Sequence, residues 1–436
     1  MGHLVAKDVY GALGDRIDGL QVRTPQNAAF RAMLRELYSP DEAELIVGMP
    51  FTLSTVDRIA RATGRDRHEL EPRLAALCDK GLVVDLDLGG TYHYMPAPFV
   101  IGIFEFTMMR LDSSDEEVGK FARLFVDYLE GGGFYAANFG HGQQVSVARA
   151  LPHLDHLDDH VEILDYERVD RVIEEAESFS VSNCSCRHKK HHAGGQVCKV
   201  PLETCTSFGK AADYVVRHGM GRRIPRKEMQ DIAQRSKELK LVFSVDNVQN
   251  RPAFLCHCCG CCCGILEGIN KHGYPNAIVC STLVPHVDME GCNGCQKCAR
   301  ACHIAAISMV PEPKKASGKR MFMPKIDEAA CIGCGVCSLV CDPDAIDLRK
   351  REQHVIHPET TFERVILQCL ERGTLQNQLF DDPGRLSHKA TRGIVGGFLR
   401  LPSVKKALMT DALRSRFLSA MAAGAARTGN ADVLTM

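Results

Sequence analysis

Two runs of cysteine have a spacing that can do metal chemistry. Cys292, Cys295, Cys298 and Cys302 stand as C-x2-C-x2-C-x3-C, and Cys331, Cys334, Cys337 and Cys341 repeat that spacing. The repeat extends beyond the thiols. Val287-Asp288 precedes the first run as Ile326-Asp327 precedes the second, and Ala306-Ile307 follows the first as Ala345-Ile346 follows the second. Each half reads as a strand, a ligand loop, a short helix and a return strand. Three cysteines at i, i+3 and i+6 wrap one 4Fe-4S cube in a tight loop with backbone amides turned toward its sulfurs. A structural zinc site prefers two C-x2-C knuckles and needs only four ligands, so it matches eight cysteines poorly.

This pattern resembles the bacterial two-cluster ferredoxin module. In that module the fourth cysteine of each run serves the cluster of the other half. The resemblance therefore implies that Cys292, Cys295, Cys298 and Cys341 hold one 4Fe-4S cluster and Cys331, Cys334, Cys337 and Cys302 the other. Ferredoxins usually place Pro directly after the fourth cysteine. Here His303 follows Cys302 and Asp342 follows Cys341, with Pro343 one position late. Loops beside a cluster set solvent access and hydrogen bonds to sulfur, so the departure bears on potential rather than on ligation.

A second cysteine-rich region is less regular. Cys184, Cys186, Cys198 and Cys205 come first, and Cys256, Cys258, Cys259, Cys261, Cys262 and Cys263 follow in LCHCCGCCCG. Helix-like stretches (Lys210 to Arg217, Pro225 to Lys240) and a strand-like Leu241 to Val245 separate the two sets, which suggests one packed domain that joins them. At this point the chain resembles multi-domain 4Fe-4S binding proteins of anaerobic bacteria. Those proteins combine a winged-helix N-terminus, a block of CxCR, a single C and C-x2-FG, an xCxCCGxCCG block and a C-terminal ferredoxin module. The matching residues are Cys184, Cys186, Arg187, Cys198, Cys205, Phe208, Gly209, Cys256, Cys258, Cys259, Gly260, Cys262, Cys263 and Gly264. Cys261 falls outside that pattern. The nine matching cysteines imply one or two further iron-sulfur clusters, with zinc as the alternative, because thiolates this dense repel one another unless a metal neutralises them. Arg187, Lys189 and Lys190 with His188, His191 and His192 either offset cluster charge, receive an acidic partner or form a solvated loop.

Composition narrows the classes. The 436 residues hold 21 Cys, nineteen of them between Cys184 and Cys341, and no Trp. With 45% hydrophobic and 25% charged residues the chain is an ordinary globular one, not a disordered or collagen-like one. Net charge of −1 does not suit a general nucleic-acid coat. The N-terminus lacks a signal-peptide pattern, and the nearest apolar stretch, Pro98 to Met109, is short and broken by Glu105. A cytoplasmic location is expected, where thiols stay reduced and clustered cysteine means metal. Cys78, Cys280 and Cys369 stand alone and read as small core residues.

The elements that must position these loops give an α+β chain. Residues 1 to 110 read as a winged-helix-like domain: a helix over Gln26 to Tyr38, a helix start at Ser39-Pro40-Asp41-Glu42, a third helix capped by Ser54, a fourth from Asp66 to Lys80, and a hairpin around Gly89-Gly90. Its would-be recognition helix balances Arg65, Arg67, Arg73 and Lys80 with Asp66, Glu69, Glu71 and Asp79, so nucleic acid is not the expected partner. Residues 111 to 180 read as a helical connecting region, with His153, His156 and His160 in a solvated segment. A cysteine-rich metal domain (181 to 285), the two-cluster ferredoxin module (286 to 348) and a helical basic tail (349 to 436) complete the chain. Between Gly384 and Thr428 nine Lys and Arg face the single acid Asp411, interleaved with apolar residues. Such a segment suits a membrane surface or a docking partner, or a helical cap with a solvated basic face. No G-x-G-x-x-G follows a strand, and no P-loop or Ser/His/Asp set is present. The expected function is electron transfer between redox partner proteins. A redox sensor acting through the winged-helix domain and an iron-sulfur subunit of a reductase are the alternatives.

Overall fold

Short polar residues set where the first helices begin. In the computed structural model, which describes residues 8–110, 115–155, 163–195, 198–312, 321–352, 355–427 and 434, Asp8 caps α1 (Val9–Asp18), Asn27 caps α2 (Ala28–Leu37) and Ser39 caps α3 (Pro40–Gly48). The Ser39 cap is the expected one. Its hydroxyl accepts from the Glu42 amide while the Glu42 carboxylate accepts from the Ser39 amide, and Pro40 fills a first-turn position whose N–H would have no partner. α4 (Val56–Thr63) is capped by Thr55 instead of Ser54. The Ser54 backbone is taken up by a bridge to Tyr94, with N···O distances of 2.9 and 2.8 Å. α5 (Arg67–Asp79) buries Leu70, Leu74 and Leu77. β1 (Val83–Leu88) and β2 (Thr91–Pro96) pair antiparallel across the Gly89-Gly90 turn, whose φ values of 63° and 84° are the reason glycine stands at both positions. α6 (Phe104–Met108), α7 (Asp115–Glu130) and α8 (Gly133–Phe139) close over these elements. Phe30, Phe99, Phe125, Tyr128 and Phe134 meet there at centroid separations of 5.0 to 6.3 Å, mostly edge to face.

β3 (Ala148–Leu151) lies in the stretch expected to be helical. All four of its residues are buried, so it lacks the in-and-out alternation by which a half-exposed strand is recognised. His153, just beyond it, is also buried: Nε2 lies 2.8 Å from the Leu241 carbonyl and the ring packs on Phe243. That overturns its reading as a solvated residue; His156 and His160 fall outside the described residues. Next come α9 (Val169–Glu175), β4 (Phe179–Asn183), α10 (Ser185–His192), β5 (Glu203–Phe208), α11 (Gly209–Arg217), β6 (Arg222–Ile224), α12 (Arg226–Glu238), β7 (Val242–Asp246), β8 (Phe254–Cys258) and α13 (Gly264–Asn270). The strands form an antiparallel six-stranded sheet in the order β3-β7-β8-β5-β4-β6. This pairing sets the two remote cysteine sets side by side: Cys205 on β5 is directly opposite Cys256 on β8.

The two repeated halves interleave. β9 (Leu283–Val287), α14 (Lys297–Ala301) and β10 (Ile307–Glu312) make the first, and β11 (Met321–Ile326), α15 (Val336–Leu339) and β12 (Ile346–Lys350) the second. β9 pairs with β12 and β10 with β11, both antiparallel. The chain then turns helical through α16 (Thr361–Arg372), α17 (Leu375–Leu379), α18 (Leu386–Leu399), α19 (Pro402–Met409) and α20 (Asp411–Arg427). α16 is anchored in the body of the molecule. Arg364 pairs with the buried Asp246 at 3.0 Å, and the Glu371 carboxylate accepts from the amides of Gln144 and Val145 at 2.7 and 3.0 Å. Helices together with small antiparallel sheets make the chain α+β. Among the described residues no helix is long and apolar enough to cross a membrane.

Candidate metal centres

The repeat seen in the cysteines is also a repeat of backbone geometry. The Cys292 amide donates to Asp288 O at 3.0 Å and the Cys331 amide to Asp327 O at 2.9 Å. The Asp288 amide reaches Ala345 O, and the Asp327 amide reaches Ala306 O, each crossing to the other half. Left-handed residues recur at matching places: Gly294 and Gly333 (both φ 70°), Gln296 (65°) and Gly335 (74°), Ala305 (53°) and Asp344 (52°). These turns leave amides for sulfur. Gly333 N–H donates to Cys331 Sγ at 3.4 Å and Ala306 N–H to Cys302 Sγ at 3.3 Å.

The thiols gather across the repeat. Burial, followed by the neighbouring Cys292, Cys295 and Cys341, raises the Cys298 thiol above its ordinary value. Burial, followed by Cys334, Cys331 and Cys302, does the same to Cys337. A small hollow is framed by Cys292, Cys295, Cys298 and Cys341, with Pro343 and Ile346 at its edge. Two sets of four soft donors, each supplied with backbone amides and shielded by apolar side chains, fit a 4Fe-4S cluster.

Gly333 tests how tightly the second loop is built. A Cβ there would collide with the Leu283 carbonyl and the Ser281 hydroxyl, in a left-handed backbone. Gly333→Ala is expected to cost about 2 to 4 kcal/mol from strain and overpacking together. Denaturant midpoints and iron content of the purified variant check this; an unchanged midpoint would mean that the loop can yield.

The ten clustered cysteines between Cys184 and Cys263 separate into two groups. In the first, Cys184 precedes α10, Cys186 lies in its first turn, Cys205 is on β5, Cys256 and Cys258 are on β8, and Cys263 caps α13. Cys186 interacts with Cys263, Cys263 with Cys258, Cys258 with Cys256, and Cys256 with Cys205. Hydrogen bonds from Cys256 and Cys263 pull the Cys258 thiol below its ordinary value, while burial pushes Cys184 up to about 12. This group lies along a cavity of about 1070 Å3, which also meets Phe104, Glu105, Phe134 and Tyr135. Six thiols around such a space, Cys258 and Cys263 buried and the other four half-buried, fit a further iron-sulfur centre.

The second group is Cys198, Cys259, Cys261 and Cys262, whose sulfurs all lie within 4.8 Å of one another. Cys261 therefore joins a cluster from which the sequence reading left it out. The one signal was its place in the unbroken run Cys261-Cys262-Cys263, because spacing alone does not say which face of a turn a thiol takes.

Arg187 lies between the groups and is 2% exposed. Its guanidinium donates to the His257 carbonyl, the Thr204 hydroxyl and Pro201 O, and Cys184, Cys259 and Cys258 raise its pKa against the burial that lowers it. Lys189 is buried as well, 3.7 Å from Glu267, and His188 Nδ1 is 2.7 Å from Met108 O. The solvated-loop alternative fails for these three residues.

His303, which takes the place of the usual proline, docks on the cysteine-rich loop. Its Nδ1 accepts from the Gly260 amide at 3.1 Å and its Nε2 lies 2.6 Å from Lys240 O. Beside it Cys258 and Cys263 share one apolar core with Ile304, Ile332 and Val336, against which Cys302, Cys331 and Cys334 pack. Elsewhere Cys78 and Cys369 are buried and Cys280 half-buried, as core residues should be. Cys78 lies near Asp85 and His218, but those two belong to an ion-pair network: His218 contacts Asp79 at 2.6 Å and Asp85 at 3.2 Å, and Arg217 also pairs with Asp85.

Comparison with known proteins finds a 4Fe-4S dicluster domain over residues 291–345. No curated protein and no solved structure matches the chain. The protein is thus an iron-sulfur protein, and the matched domain supports an electron-transfer role.

Proposed function

We propose that the chain relays single electrons between redox partner proteins. Cys292, Cys295, Cys298 and Cys341 hold one 4Fe-4S cluster, Cys331, Cys334, Cys337 and Cys302 the second, and the six-thiol group a further iron-sulfur centre. Such clusters, when bound, supply one-electron carriers. The observation that carries the reading is the single apolar core that contains Cys258 and Cys263 and against which Cys302, Cys331 and Cys334 pack. The chain's own part is to exclude water there, to aim amides at sulfur, and to place Arg187 against the thiols. All cysteines are unpaired, which suits a reducing cytoplasmic setting. Anaerobic iron and sulfide quantitation with EPR of the reduced protein tests the proposal. More than about eight iron per chain is expected, and eight alone would confine the relay to residues 286 to 348.

A reductase reading is favoured by the cavity beside the six thiols. Glu105 lines it, and burial pushes its carboxyl up to about 8, against the hydrogen bond donated by the Gly102 amide at 2.8 Å. The folded chain keeps this proton to about pH 8, whereas the unfolded chain releases it near the ordinary value of 4.5. Over that window the unfolded state binds fewer protons, so this group's contribution to stability is full below 4.5 and is lost as pH rises. Glu105→Gln should therefore gain on the parent by on the order of a few kcal/mol between pH 5 and pH 8.5. Parallel denaturation of the two proteins at both pH values is the check, and an equal gap at the two would remove Glu105 as an enclosed acid.

The helices and hairpin up to residue 110 form the winged-helix-like unit of this proposal, with a scaffolding or protein-binding role. Its basic side chains are matched by acids: Arg67 with Asp57 at 2.9 Å and Glu71 at 3.1 Å, Lys80 with Glu42 at 2.7 Å, and Arg73 with Asp41. That pairing disfavours phosphate contact and with it the sensor reading.

The basic tail is the proposed membrane-surface or partner contact. On α18 and just beyond it, Leu386 (84% exposed), Ile394 (77%), Phe398 (59%) and Leu401 stand in water beside Lys389 and Arg392. Flotation with anionic vesicles should carry the full chain upward, and Ile394→Glu with Phe398→Glu should leave most of it at the bottom; equal distributions would sink the membrane contact.

A further inference from the structure

We propose that Cys198, Cys259, Cys261 and Cys262 hold a single zinc ion, apart from the iron-sulfur centres. The sulfur separations carry the inference. Cys198 lies 3.8 Å from Cys259 and 3.6 Å from Cys261, and Cys261 lies 3.6 Å from Cys262. Four thiolates placed tetrahedrally about one ion at about 2.3 Å stand about 3.8 Å apart. A cubane sets a cage of four irons between its thiolates and so holds them further apart than these four stand. The donor set agrees with the distances. It is all thiolate, it numbers four, and it leaves no open position, which is the pattern of a closed structural site.

This site has an apolar cover of its own, although Cys259 and Cys262 also border the cavity beside the six-thiol group. Leu241 and Val200 pack against Cys259, Cys262 and Cys198, while Cys261 reaches the surface. The loop is held by a tight turn, in which the Cys263 amide donates to Cys259 O at 3.2 Å, and by the His303 ring on Gly260. A divalent ion with four thiolates carries two net negative charges, and the Arg187 guanidinium lies against Cys259. The six remaining thiols still suffice for an iron-sulfur centre of their own. The ion would tie the connection between α10 and β5 to the loop after β8, and so fix the covering of the six-thiol group.

The test uses the full chain purified without oxygen. Elemental analysis is expected to find one zinc per chain in addition to iron, and zinc-edge X-ray absorption to find four sulfur neighbours at about 2.3 Å. Cys261→Ser and Cys198→Ser should each lose most of the zinc and keep the iron of the parent. A parent without stoichiometric zinc, a zinc shell containing nitrogen or oxygen, or loss of iron in either variant would overturn the proposal. The absorption measurement needs no variant, so it stands even if a substituted chain fails to fold. A negative result leaves the electron relay in place, because that reading rests on other cysteines and on iron.

Discussion

In a Cys341→Ser chain the iron expected to disappear is that of the first loop, although Cys341 belongs to the second. Cys341 is among the thiols that act on Cys298, together with Cys292 and Cys295, and it frames the same hollow. Cys302→Ser should show the converse, since Cys302 acts on Cys331, Cys334 and Cys337. Each variant should lose about four iron per chain. The two losses should differ in kind. The first hollow is at the surface, with Cys295 exposed, whereas Cys331 and Cys334 lie against the apolar core shared with Cys258 and Cys263. The cluster that survives Cys302→Ser is therefore the more solvent-accessible one, and the EPR of the two reduced variants should not superimpose. Iron analysis with EPR checks the pair. If Cys341→Ser kept a spectrum assignable to Cys292, Cys295 and Cys298 with full iron, the exchange of fourth ligands would be wrong.

The second large effect is expected at Arg187. Arg187→Met keeps the length and apolar stem of the side chain but removes the charge and the fork. The His257 carbonyl then loses the guanidinium donor, the Pro201 carbonyl keeps only the long bond from the Thr204 hydroxyl, and the thiols of Cys184 and Cys259 lose their counter-charge. Removing one partner from a buried charge arrangement costs about 3 to 5 kcal/mol. Loss of the midpoint on that scale is expected, with metal missing from the cysteine-rich region and the ferredoxin iron retained. Arg187→Lys should recover part of the metal and little of the stability, because one ammonium cannot serve three acceptors in the guanidinium plane. If Arg187→Met loaded the full metal complement, the guanidinium would be packing material only.

What could be read in advance follows from how local each signal is. The ferredoxin loops were legible because the features that open each of them recur within a few residues: the aspartate carbonyl that accepts from the first cysteine's amide and the left-handed positions that follow. The Ser39 cap and the Gly89-Gly90 turn were legible for the same reason. β3 was not, because a strand buried on both faces carries no alternation, and His153 was misread with it. The cysteine-rich region failed differently. Its first group depends on the register of β5 against β8, which sets Cys205 opposite Cys256, residues far apart in sequence, and its second on loops before β5 and after β8 that meet only in the fold. His303 was noticed as a departure from the usual proline, but its partner Gly260 is a contact no spacing could supply.

The pairing of β9 with β12 bears on how the protein is made. The strand that opens the repeat closes on the strand that ends it, so neither half can finish folding on the ribosome until Lys350 has emerged. During that interval Cys292, Cys295 and Cys298 form a three-armed hook whose fourth arm has not been translated. Cluster delivery should then follow the emergence of Lys350, and a nascent chain stalled before Cys341 should bind metal weakly and indiscriminately.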